Sequence, residues 1–61
     1  MKLREFNFNE LKGKYKGLSI FLDDKEVAMG FIGEVLNSIS HLADKEIKST
    51  NGYIDTFVIR L

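Results

Sequence analysis

The chain is sixty-one residues long (7.0 kDa), enough for one small domain, residues 1–61. Surface scaling predicts roughly 4,000 Å² of folded surface and burial of only about 60% of what the unfolded chain exposes, so the core is marginal. The absence of cysteine excludes disulfides, thiolate metal sites and thiol chemistry, and a single histidine, His41, excludes a multi-histidine metal site. Nine basic and nine acidic residues cancel, which argues against a nucleic-acid binder driven by bulk positive charge and against an acidic DNA mimic.

The charge is unevenly spread. Residues 1–22 carry five basic and two acidic side chains, and residues 23–61 carry four basic and seven acidic ones. Such a dipole can orient a partner, including a second copy of the chain. The N-terminal stretch has charges every few residues and does not read as a signal or transit sequence. The longest apolar runs are three residues (Ile20–Leu22, Val27–Met29, Phe57–Ile59), so no membrane contact is expected and a cytoplasmic location is the default.

In chain order, Lys2 to Asn9 reads as a strand with Phe6 and Phe8 at period two and Leu3 out of phase. Asn9 to Lys14 has the polar and glycine content of a hairpin loop. Tyr15 to Leu22 reads as the returning strand, with Leu18, Ile20 and Leu22 on one face and Tyr15, Ser19 and Phe21 on the other. Asp23 followed by Glu26 resembles a capping box, and Leu22 and Val27 are placed as a hydrophobic staple. A helix is therefore predicted from Asp24 to Ala43, with Ala28, Ile32, Val35, Ile39 and Leu42 at helical spacing. On a helical wheel it is apolar over roughly 200° of its circumference, wider than the usual stripe. Glu46–Thr50 and Tyr53–Leu61 flank Asn51-Gly52, the preferred centre of a two-residue hairpin turn, and that register would set Lys48 opposite Asp55.

These elements predict an α+β fold: a four-stranded antiparallel sheet with one helix on one face, in the order ββαββ. One helix covers one sheet face. The last strand is apolar on both sides (Tyr53, Phe57, Ile59 and Leu61; Ile54 and Val58), and Phe21 points away from its apolar neighbours. The surplus apolar surface predicts a homodimer or a docked protein partner.

No catalytic constellation stands out. Ser38, Ser40 and His41 are close in sequence, but helix neighbours about 100° apart do not face each other. Capping accounts for Asp23, so the Asp23–Asp24 pair is not read as a metal site or an acid–base pair, and no phosphate-binding glycine loop is present. An enzyme is not expected, and neither is a cofactor. Gly30 and Gly33 inside the predicted helix would form, with Asn37 and Ser40, a strip of small residues open to a partner; Phe21, Tyr53 and Phe57 extend the candidate partner-binding set. The segment Lys12, Gly13, Lys14, Tyr15, Lys16 sets three lysines on one side of a strand and a tyrosine on the other, an arrangement that can grip a phosphate backbone and stack on a base. Edge-strand protection by lysine is the competing explanation. The reading is a small non-enzymatic interaction module that binds and modulates, or inhibits, another macromolecule, as a homodimer. The alternatives are a nucleic-acid binder using Lys12–Lys16, or an oligomer sequestering a small ligand.

Overall fold

Two strands from opposite ends of the chain lie side by side at the centre of the molecule. Strand β1 (Gly17–Leu22) pairs in parallel with β4 (Thr56–Arg60), Leu18 beside Phe57 and Ile20 beside Ile59. Strand β2 (Lys25–Phe31) pairs antiparallel with β1, and β3 (Ser49–Gly52) antiparallel with β4, so the sheet order is β2-β1-β4-β3. Helix α1 (Ile32–Ser38) follows β2 directly, and a 3-10 turn at Ser40–Leu42 extends it. The computed structural model describes residues 1–61, with a surface of 4197 Å².

The α+β class and the count of four strands and one helix are as expected, but the sheet is mixed rather than antiparallel, and the predicted ββαββ order is not matched. The N-terminal segment is not a strand. It forms 3-10 turns at Leu3–Glu5 and Phe8–Glu10, the second capped by Asn7, whose Oδ1 accepts from the Asn9 N–H at 3.2 Å. Leu11 continues this path as a turn, its carbonyl accepting from both Lys14 and Tyr15 at 2.9 Å, so no hairpin joins residues 2–9 to β1. The segment does touch the far end of the chain: Leu3 N–H donates to the Lys45 carbonyl, and Ile47 N–H to that of Met1.

Residues 23–31 depart furthest from the helix that the sequence predicts. Asp23 and Asp24 have φ of 52° and 66° and form the two-residue turn between β1 and β2 instead of capping a helix. Consecutive left-handed residues match the twist of a tight hairpin, and aspartate tolerates that region better than most residues. Residues 25–31 are then strand, not helix. Val27, Met29 and Phe31 supply a period-two apolar pattern, and Gly30 sits at φ 145°, outside any helix. Gly30 further weakens a helix here, by up to about 1 kcal/mol. The expected helix survives only in its second half.

The core lies between one face of the sheet and the helical layer. Leu18, Ile20, Ile59 and Leu61 meet Ile32, Val35, Ile39 and Leu42 from the α1 side and Leu3 and Leu11 from the N-terminal turns. Phe57 points the same way, with Phe6 at 5.7 Å and Tyr15 at 5.3 Å between ring centroids. Asn51-Gly52 lies inside β3, and the chain reverses at residues 53–55 instead. Gly52 has no positive φ; a side chain there would collide with the Tyr15 hydroxyl. Lys48 does not face Asp55. Its N–H donates to the Arg60 carbonyl, and its ammonium lies 3.8 Å from Asp23.

Gly30 in β2 and Gly33 in α1 should part company on mutation. Gly30→Ala forces a side chain into φ 145° and should cost about 1 kcal/mol or more, whereas Gly33→Ala in open space should be neutral or stabilising by up to about 1 kcal/mol. Replacing Asp23-Asp24 by Asn-Gly should raise stability by about 0.5–1 kcal/mol. Urea midpoints of the three variants at unchanged m-value check both statements.

Candidate interaction face

The helical layer leaves the other face of the sheet uncovered. Because paired residues point to the same side, the register puts Gly17, Ser19 and Phe21 of β1 with Phe31, Met29 and Glu26 of β2 and with Thr56, Val58 and Arg60 of β4 on that face. The twist of the sheet makes it concave, with a volume of about 620 Å³. Its floor is Ser19 and Val58, both already buried by their neighbours. Its walls are apolar and exposed: Met29 retains 70% and Phe31 66% of its accessible surface.

Polar groups on the face are arranged around this apolar centre. The buried Ser19 hydroxyl donates to Glu26 Oε2 at 2.5 Å, which satisfies the one polar side chain of the floor and holds the carboxylate over the sheet. The Arg60 guanidinium stacks 4.6 Å from the centre of the Phe21 ring, so Phe21 is half-buried beneath a cation. The charged residues lining the concavity are Glu26, Glu34, Asp55 and Lys16, and with the Arg60 guanidinium over Phe21 the face carries three carboxylates against two cations. The rim is therefore net acidic, although the chain as a whole is neutral.

Of the residues predicted to bind a partner, Phe21 and Gly30 line this concavity. Gly33 and Asn37 are exposed on α1, and the proposed strip of small residues does not exist because Gly30 belongs to β2. Tyr53 is exposed in the β3–β4 turn, where its hydroxyl accepts from Asn51 Nδ2 at 3.3 Å. Phe57 lies on the opposite, core-facing side. The residues that sequence reasoning missed are Met29, Phe31 and Glu26. Their signal was present in the Val27-Met29-Phe31 alternation, which the helical assignment concealed.

The lysine segment is only partly assembled as a nucleic-acid grip. Lys12, Lys14 and Lys16 are exposed, but Tyr15 packs on Phe57 and under the Gly52 backbone, so its ring is committed to the core side. Elsewhere, Ser38 Oγ donates to the Val35 carbonyl, and His41 is exposed on the 3-10 turn. No three His, Cys, Asp or Glu side chains are grouped as metal ligands, and no helix is long and apolar enough to cross a membrane. No known protein family, curated protein or solved structure matches the chain.

Tyr15 and the lysines beside it should respond differently to mutation. Tyr15→Ala opens a gap beside Phe57 and should lose about 2–4 kcal/mol, whereas Lys14→Glu with Lys16→Glu should change stability by no more than about 0.5 kcal/mol. Chemical denaturation of both variants measures the difference.

Proposed function

We propose that the chain is a non-enzymatic interaction module whose open sheet face docks a protein segment bearing basic side chains around an apolar anchor. The observation that carries this reading is the pairing, on one concave face, of exposed Met29 and Phe31 with a rim of Glu26, Glu34 and Asp55. Apolar side chains at the centre supply affinity through burial, at about 25 cal/mol per Å² removed from water. Methionine adapts its shape to an occupant more readily than branched residues do. The carboxylates select the sign of the occupant's charge and steer its approach. An amphipathic basic helix laid along the concavity meets both requirements, because its anchors project from one side and its charges flank them. A nucleic-acid backbone meets neither, since the rim would repel phosphate.

A helical peptide built from leucine and lysine, titrated into isotope-labelled protein, should shift the amide signals of Phe21, Met29, Phe31 and Val58 first. A leucine–glutamate peptide of equal length should not. Glu26→Gln with Asp55→Asn should weaken the basic peptide by about tenfold and flatten its salt dependence. Equal response to both peptides, or shifts centred on the helical layer, would overturn the reading.

A further inference from the structure

The sheet has two edges, and they differ. β3 is four residues long and polar throughout. β2 is seven residues long, and from Val27 to Phe31 it carries no charge and no proline. Its outward backbone groups can be assigned from the ladder. Ile32 N–H donates inward to the Lys16 carbonyl at 3.2 Å. Hydrogen-bonded and non-hydrogen-bonded pairs alternate along an antiparallel ladder, so Gly30 opposite Leu18 and Ala28 opposite Ile20 also bond inward. The N–H and C=O of Met29 and Phe31 therefore point away from the sheet, toward nothing in the chain.

Sheet proteins normally guard such an edge with lysine, proline, a central bulge or a covering loop. Here the irregularity in pairing falls between Ile20 and Phe21, beside Val27, and leaves Met29 to Phe31 in unbroken register with β1. Three of the six large apolar side chains that remain exposed (Val27, Met29 and Phe31) belong to this one strand.

We propose that β2 pairs antiparallel with β2 of a second copy, about a two-fold axis at Met29. That register sets Met29 against its own counterpart and Phe31 against the second copy's Val27, reciprocally, and it uses the outward groups of Met29 and Phe31. Charge favours it. Lys25 opens the strand and Glu34 stands on the first turn of α1 beyond its end, and neither is ion-paired within the chain. The two-fold brings each Lys25 toward the other copy's Glu34, whereas parallel pairing would set Lys25 beside Lys25. The product is an eight-stranded sheet with both helical layers on one side and both open faces on the other. The proposal goes beyond the docking of a basic segment and does not depend on it.

Sedimentation analysis of the whole chain across a concentration series, extending to the millimolar range, tests the pairing. The weight-average mass should climb from one chain toward two and level off. Met29→Lys places like charges on the axis and should hold the mass at one chain, with an unchanged circular dichroism spectrum. Met29→Pro removes an outward N–H that the pairing uses and no hydrogen bond within the chain, and should do the same. Lys25→Glu should weaken the dimer, and Lys25→Glu combined with Glu34→Lys should restore it. A wild-type mass of one chain throughout, open-ended growth, or a dimer that survives Met29→Lys would each overturn the proposal. Peptide binding at the face is read separately, so loss of one result leaves the other standing.

Discussion

The parallel pairing of β1 with β4 holds this molecule together. It joins the strand that follows the N-terminal turns to the strand that ends the chain, and it places Leu18 and Ile20 beside Phe57 and Ile59. Each of the two hairpins adds one outer strand to that pair, so neither β2 nor β3 has a place without it. Closing the long loop between residues 22 and 56 costs entropy that only the completed core can offset. The covering layer reflects this dependence: α1, its 3-10 extension and both N-terminal turns send their apolar side chains to the same central strands.

Parallel strand pairs are normally covered on both faces. A chain of this length has one layer to offer, and that layer lies on one side. The uncovered side shows a partial compensation, since Val58 and Ser19 are buried by their own neighbours and Phe21 is roofed by Arg60. That local shielding stops at β2. Met29 and Phe31 stay exposed there, and so the open face is most apolar along one edge.

Much of the core was legible in the sequence. The spacing of Ile32, Val35, Ile39 and Leu42 reports which side of the chain faces inward, and all four are buried, even though only Ile32–Ser38 is α-helix. Leu18 and Ile20 were legible for the same reason. What failed were places where one residue type serves two geometries. Aspartate caps helices and also tolerates the left-handed region, so Asp23-Asp24 fitted a cap as well as a turn. Ala28 continued the helical spacing of Ile32 and Val35, while Val27, Met29 and Phe31 kept strand spacing. Phe6 and Phe8, two apart, fitted a strand, yet they are neighbouring rings at 4.9 Å in a pair of 3-10 turns. Asn-Gly signals a turn through backbone freedom, but at Gly52 it is the missing side chain that matters, because it makes room for Tyr15.

The candidate site was illegible for the same reason that β2 was. A helix at residues 24–43 would have turned Ala28 inward and set Met29 on the far side from Val27 and Phe31, leaving no shared face and no edge. As a strand, the same residues present Met29 and Phe31 on the open face and their backbone groups on the open edge. Burying a large apolar side chain is worth about 1.5–3 kcal/mol, a large part of the stability of a domain this small. Two such side chains left in water on one strand mark the position where this fold gains most from an external contact. Face and edge meet at Met29, so a strand added at the edge would lengthen the wall of the concavity, and an occupant of the concavity would rest against that added strand.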